Sequence, residues 1–399
     1  MSLVVSKLAQ FITVVFVVKF ISEDDFGRIT LIASVLSFFT PINGFGSAQG
    51  LMKFGASLEH EEDKNELSRY FFWSGFKNQL LVTFIFIVFC AIYGLKYDAL
   101  LFIIFAFTIR LVGFFFLGHL QVDFRIHNDN YKLSIMNMFV NSAGLLLAFV
   151  LTYYYGASGY LSAMALSPFL VLVYLKKRHW SGIRAIYDKM QLKKIWSFSL
   201  LESLAYLASE ILFSIDIVLV AFFLAKNDFA QVALYKVAVI LPLNLVFLPT
   251  IFLHTDFSKI IANHLDKMFL KFYILNYLKL FVPGGLFLIA TGFFLKEYIL
   301  EVIFKPEYAA GGLAFFIALC GVVCAMWMKI LFTYMLSAVG KAILNVYVSI
   351  IAIVVLVIMA FFLIPSYGIE GAALSMALAL FISGLCSCFF FINHYRKLS

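Results

Sequence analysis

Ten ionisable residues stand inside or at the edges of long apolar runs in this sequence, and their types set the chemistry open to it. Seven are basic, Lys7, Lys19, Lys77, Arg110, Lys236, Lys279 and Lys329, and three are acidic, Glu202, Glu210 and Asp216. A charge at the centre of a bilayer costs at least about 2.5 to 3.5 kcal/mol, so each must face a protein interior or a wet cavity, or reach out to an interface. Lys7, Lys19 and Lys77 lie near the ends of their runs, where reaching the interface competes with lining a cavity. Arg110, Lys236 and Lys329 are deeper and Lys279 is intermediate. The positive surplus favours an anionic ligand, because phosphate groups are met by Lys and Arg through charge-assisted hydrogen bonds. The three acids share one run. At about 100° per residue a continuous helix sets Glu202 and Asp216 within about 40° of each other, with Glu210 to one side. Proton exchange and a salt bridge to Lys236 both fit that placement.

Other reactive residue types carry less. Cys90, Cys320, Cys324, Cys386 and Cys388 all sit in apolar runs. Cys320 and Cys324 share a helix face, but no His or carboxylate accompanies them, so packing explains them better than a metal. The seven histidines are scattered singly and read as solvated residues of cytoplasmic loops and the tail. There is no glycine-rich Walker A loop, so ATP hydrolysis is not expected as the energy source. No cofactor is expected.

The elements that must position these charges follow from composition. Hydrophobic residues make up 63% of the 399 and charged residues only 13%, with a mean hydropathy of +0.99. Soluble domains are near a quarter charged, so the chain is polytopic. A net charge of +8 invites nucleic acid, but no soluble basic face carries it, and none is expected as a partner. A spanning helix needs about 20 apolar residues. Twelve runs qualify, at 3–21, 29–52, 71–93, 98–118, 133–153, 157–175, 198–225, 230–253, 272–295, 313–336, 342–364 and 369–392. The first lacks a cleavage pattern and reads as a helix, not a signal peptide. None alternates in polarity as barrel strands do.

The chain also repeats itself. Tyr155, Gly156, Gly159, Met164, Ala165 and Leu166 recur as Tyr367, Gly368, Gly371, Met376, Ala377 and Leu378, an offset of 212. Asp25, Phe26 and Leu31 match Asp228, Phe229 and Leu234, and Tyr97 falls opposite Tyr308. Six spans per repeat give two halves of the same orientation. Most Lys and Arg fall in the loops of one side, which places both termini in the cytoplasm. The expected organisation is a six-helix bundle over 1–175, a cytoplasmic amphipathic linker over 176–197 and a second bundle over 198–399. Ile183, Ile186, Tyr187 and Met190 form the linker's apolar stripe. A second such segment, Asp256 to Lys271, aligns Phe257, Ile260, Ile261, Leu265 and Met268. Prolines 41, 168, 242, 249 and 283 fall inside spans, and Pro41 and Pro242 occupy nearly corresponding places, as paired hinges would.

Five short motifs carry a family resemblance. They are Ile21-Ser22-Glu23-Asp24-Asp25-Phe26-Gly27 after the first span, Gly44-Phe45-Gly46 in the second, and Asp216 with the Tyr235 region. Phe304-Lys305-Pro306-Glu307-Tyr308-Ala309 precedes the tenth span, and Tyr367-Gly368-Ile369-Glu370-Gly371-Ala372-Ala373 the twelfth. Together they resemble the multidrug/oligosaccharidyl-lipid/polysaccharide exporter superfamily, above all its polysaccharide branch, the O-antigen type flippases. The resemblance implies two six-helix bundles around a central cavity. It also implies a substrate carried on undecaprenyl pyrophosphate and turned from the cytoplasmic to the outer leaflet of a bacterial inner membrane.

The sequence therefore sets up a flippase, with Arg110, Lys236, Lys329, Lys7 and Lys19 as cavity cations and Glu202, Glu210 or Asp216 as sites for coupling protons. A polysaccharide polymerase is a further candidate partner. Within the fold, a cation-coupled multidrug antiporter competes; it needs acids to hold cations, and the first half has none well inside a span. The lipid-linked peptidoglycan-precursor branch usually has about fourteen spans. A membrane glycan polymerase or ligase would carry a large outer loop, and every outer loop here is short.

Overall fold

In a bilayer every backbone N–H and C=O must find a partner within the protein, so apolar runs of this length become helices. The computed structural model describes residues 2–94, 100–175, 189–225 and 228–396, and the elements within them are helical throughout. They divide into two compact units, Met1–Glu210 and Ile211–Ser399.

The first unit holds α1 (Ser2–Phe20), α2 (Glu23–Phe39), α3 (Ser47–Ala56), α4 (Glu61–Gly94), α5 (Leu100–Ile126), α6 (Asn130–Leu166) and nearly all of α7 (Lys189–Leu212). Capping explains several starts: Ser22 accepts from the Asp25 N–H, and Asp129 from the Lys132 N–H. Between α2 and α3 the second span breaks. Pro41 opens the break, Gly44 and Gly46 take φ of 55° and 75°, and the Gly44 N–H donates to the buried Gln79 Oε1 at 2.8 Å. Open backbone at membrane depth is tolerated where protein satisfies it, and α4 supplies the acceptor. The α7 helix packs here through Trp196, whose Nε1 donates to the Tyr70 hydroxyl at 2.9 Å.

The second unit holds α8 (Ile215–Leu224), α9 (Ala230–Leu245), α10 (Phe247–Ala262), α11 (Lys267–Ile303), α12 (Gly312–Ala325), a π-turn at Met326–Ile330, α13 (Leu331–Ala338) and α14 (Ala342–Arg396). Pro242 lies inside α9, just ahead of its join to α10. Its core gathers Leu253, Leu270, Tyr277, Leu331 and Phe391.

Among the described residues nine helices are long and apolar enough to cross a membrane, and Leu8–Phe20 and Ile215–Leu224 are shorter apolar ones. Two of the nine, α6 and α14, are hairpins. Gly156 (φ 58°, ψ −135°) and Gly368 (φ 58°, ψ −133°) reverse each of them with almost identical torsions. A Cβ on Gly159 would meet the Leu151 carbonyl, and one on Gly371 the Leu363 carbonyl. Eight residues along a straight helix separate atoms by about 12 Å, so both chains double back at once. The sequence repeat is thus a structural repeat. The Asp25 and Asp228 echo also coincides with two helix starts, of α2 and α9, with Phe26 and Phe229 buried at each.

Some expectations are corrected. Pro41 and Pro168 sit at breaks, not inside continuous helices, and Pro168 begins a 3₁₀ stretch, Ser167–Tyr174. The seventh span is interrupted at Phe213–Ser214, so helical phase does not carry from Glu202 to Asp216, and the stripe expected of them is absent. The Asp256–Lys271 stripe is also broken: α10 stops at Ala262, and Asp266 caps α11 by accepting from the Met268 and Phe269 N–H groups. Most of the expected linker, 176–188, lies outside the described residues, and its last part forms the start of α7.

Candidate functional site

Arg110 lies ten residues into α5, about 15 Å from its start and near the middle of a hydrocarbon core about 30 Å thick. Its guanidinium rests over the Phe114 ring at 4.6 Å, and Nη1 donates to the Met164 carbonyl at 2.5 Å. That carbonyl is available for a local reason. In an α-helix it would accept from the N–H four residues on, which belongs here to Pro168, and proline has none. Arg110 takes the place of the missing donor, and the Ser167 hydroxyl adds a longer bond at 3.4 Å.

A cavity of about 400 Å³ opens beside the guanidinium within the first unit. Polar groups from four elements line it, among them Gln10, Gln121, Asn141 and Ser167, with Phe114 and Tyr160 as aromatic walls. Gln10 Nε2 donates to Asn141 Oδ1 at 3.3 Å, and Gln121 Nε2 to Asn137 Oδ1 at 2.9 Å. Among the described residues no Asp or Glu lines this cavity.

The second unit holds the other deep charges. Asp216, in the first turn of α8, is 2% exposed; the Tyr235 hydroxyl donates to its Oδ2 at 2.7 Å, and its Oδ1 accepts from the Ile217 N–H at 2.9 Å. A carboxylate in the first turn also faces the positive end of its helix. Lys236, next along α9 from Tyr235, interacts electrostatically with Asp216. Lys329 lies on the π-turn with its Nζ buried, making no hydrogen bond among the described residues, 5.1 Å from the centre of the Phe213 ring. The turn is held by two bonds from α11: the Tyr277 hydroxyl donates to the Met326 carbonyl at 2.8 Å, and Trp327 Nε1 to the Phe281 carbonyl at 2.9 Å. Such π-turns within helices occur often at functional sites.

The remaining candidates lie elsewhere. Lys19, Lys77, Lys279 and Glu202 are exposed, Glu210 is half-buried and bonded to Tyr206, and the Lys7 side chain is outside the described set. The structure therefore brings Asp216 together with Tyr235 and Lys236 and buries Lys329 against Phe213 in the second unit, and it sets Arg110 beside a cavity in the first.

One buried polar cluster departs from the sequence expectation. The histidines are not all solvated: His119 is 1% exposed within α5, because that helix continues eight residues beyond the expected span end. The Ser68 hydroxyl donates to Asp123 Oδ1 at 2.7 Å and lies 3.3 Å from His119 Nε2, while His127 contacts the Asp123 carbonyl at 2.7 Å and Asn65 at 3.1 Å. The spacing of His119, Asp123 and His127 at i, i+4 and i+8 was the available signal. Among the described residues no group of three His, Cys, Asp or Glu could hold a metal ion.

Comparison with solved structures fixes the fold. The inward closed conformation of the lipid II flippase MurJ superposes with a TM-score of 0.71 at 14% identity, covering 100% of this chain and 89% of that one. An inward-facing multidrug resistance MATE family transporter of the MOP superfamily gives 0.68 at 11% identity, covering 98% and 95%. A MOP superfamily transporter from Pyrococcus furiosus gives 0.58 at 14%, covering 100% and 93%. This is a multi-pass membrane protein with the MOP transporter fold. No curated protein matches it in sequence. The model of the polysaccharide biosynthesis protein family matches residues 1–253, and the chain belongs to that family.

Proposed function

We propose that this protein is a flippase that turns a lipid-linked oligosaccharide, carried on a polyprenyl pyrophosphate such as undecaprenyl pyrophosphate, from the cytoplasmic to the outer leaflet of a bacterial inner membrane. The observation that carries this reading is the pair of deep cations, Arg110 beside a polar cavity and Lys329 with a buried ammonium, neither in an ion pair with a described carboxylate. Sugar hydroxyls cost several kcal/mol each if drawn bare through hydrocarbon, and a pyrophosphate costs more. A wet cationic path removes that barrier while the polyprenyl tail stays in lipid. Lys236, Lys7 and Lys19 extend the set of cations, both termini are cytoplasmic, and the glycan is of the O-antigen type. Alternating access uses the break at Pro41 and the proline within α9, Pro242, as hinges. An inside-negative potential also helps negative charge outward, by about 2.3 kcal/mol per charge per 100 mV.

The buried Asp216 favours proton exchange as the drive, with Glu210 and Glu202 as weaker candidates because they are more exposed. A polysaccharide polymerase receives the product on the far side. The test is reconstitution in vesicles with a fluorescent lipid-linked oligosaccharide and an impermeant quencher. The protein should expose inner-leaflet label to the quencher, and replacing Arg110, Lys236 and Lys329 together with Gln should abolish this. Intact exposure in the triple variant sinks the cationic-path reading, whereas extrusion of cationic dyes without glycan movement would favour a multidrug antiporter.

A further inference from the structure

The Arg110 cavity has a donor and acceptor pattern narrower than "anion". Gln10 and Gln121 each give one amide N–H to a neighbouring Asn, which leaves on each side chain the Oε1 acceptor and the second N–H. Thr13 likewise donates its hydroxyl to the Ala9 carbonyl at 2.7 Å, keeping its lone pairs. The wall thus offers acceptors, with an N–H beside each Gln oxygen, to a ligand rich in hydroxyls, which donate and accept. Arg110 offers the opposite: one N–H goes to Met164, and the rest of a five-donor fork remains beside the cavity. A guanidinium fork matches a carboxylate in a bidentate, planar way. Phe114 and Tyr160 add flat apolar surface of the kind that packs on sugar rings.

Charge and volume narrow it further. One cation and no described acid line the cavity, which balances a single negative charge. A pyrophosphate carries more charge than that and has chain leaving from both ends, a tail on one side and glycan on the other. At about 400 Å³ the cavity lies near the lower end of ligand pockets, about 300 to 1,000 Å³, which suits a sugar unit and not a polyprenyl chain.

We propose that this cavity is a subsite for a carboxylate-bearing sugar, a uronic acid or similar polyhydroxylated monoanion, and that the transported glycan contains one. Arg110 grips the carboxylate; Gln10, Gln121 and Thr13 accept from its hydroxyls. The proposal rests on the flippase reading for its place in transport, but the binding site stands without it.

The test uses the full-length protein in lipid nanodiscs and follows its thermal unfolding midpoint with free glucuronate, glucose, acetate, chloride or phosphate, since a ligand that binds only the folded state raises that midpoint with concentration. Glucuronate should raise it; glucose and acetate at equal concentration and ionic strength should not. Arg110→Gln should weaken the glucuronate response at least about tenfold, the worth of one charge-assisted contact. Gln121→Leu, which leaves the charge in place, should weaken glucuronate and leave any acetate response unchanged. Equal responses to glucuronate, acetate and chloride overturn the proposal in favour of a plain anion site, as does a glucuronate response that survives Arg110→Gln. Paired flipping assays separate this from the broader reading. Glycan movement without glucuronate binding removes the subsite and keeps the flippase, and glucuronate binding without glycan movement does the reverse.

Discussion

The bond from Arg110 to Met164 makes a prediction that does not depend on transport. Removing the guanidinium, as in Arg110→Met, has two opposed effects. It takes a desolvated charge out of the membrane interior, which stabilises, and it leaves the Met164 carbonyl short of its main donor, which destabilises. The sign of the single change is therefore a poor test. A second substitution isolates the carbonyl: Pro168→Ala restores the N–H that a helix would aim at Met164. Beside Arg110 that N–H is nearly redundant, because the carbonyl is already bonded at 2.5 Å. In the Arg110→Met background it satisfies an orphan, worth about 1 to 3 kcal/mol. The Ser167 hydroxyl, at 3.4 Å, retains part of that, so the coupling should be about 1 to 2 kcal/mol. The four proteins would be unfolded by SDS titration in mixed micelles. Additivity of the two changes to within about 0.5 kcal/mol, the level seen for independent sites, would refute the account of the missing donor.

Four further outcomes are expected. Lys329→Met should raise thermal stability, since it removes a buried ammonium with no hydrogen bond among the described residues, while lowering glycan flipping; unchanged flipping would relegate Lys329 to packing. Tyr235→Phe should cost about 1 to 3 kcal/mol by stripping the buried Asp216 of its side-chain donor, read by the same unfolding assay. Gly156→Ala and Gly368→Ala should each cost about 1 to 3 kcal/mol and by similar amounts, because both glycines hold the same left-handed torsions. Ser68→Ala should lower the unfolding midpoint measurably, about 1 kcal/mol for the lost bond to Asp123, whereas Ser162→Ala, on an exposed helix face, should not.

Length and apolarity made the spans legible in the sequence, and the matching Tyr-Gly-x-x-Gly turns revealed the duplication, because a glycine-dependent reversal leaves a mark in residue type. The breaks were less legible. Nothing at Phe213–Ser214 announces an interruption, since neither residue is a helix breaker by rank, and the phase argument for Glu202 and Asp216 failed there. Arg110, Lys236, Lys329 and Asp216 stand out in the sequence as charges within apolar runs, but their partners do not. Tyr235 and Met164 meet them only through tertiary packing, and a backbone carbonyl has no signature in sequence except the proline that frees it. His119 was misplaced for a simpler reason: the apolar run ends before the helix does, and the last turns of α5 carry polar residues that bond to α4.

The pairing of Arg110 with Pro168 also says something about descent. At the 212-residue offset Pro168 faces Leu380, which has the N–H that proline lacks, and Arg110 faces Val322. The second copy of the duplicated sequence therefore has neither the cation nor the vacant carbonyl that anchors it. Since the anchoring needs both residues, it arose after the copies separated or was lost from one of them, and each half could then diverge without disturbing the hairpin they still share. A duplicated membrane protein of this kind keeps its architecture twice and writes its chemistry once.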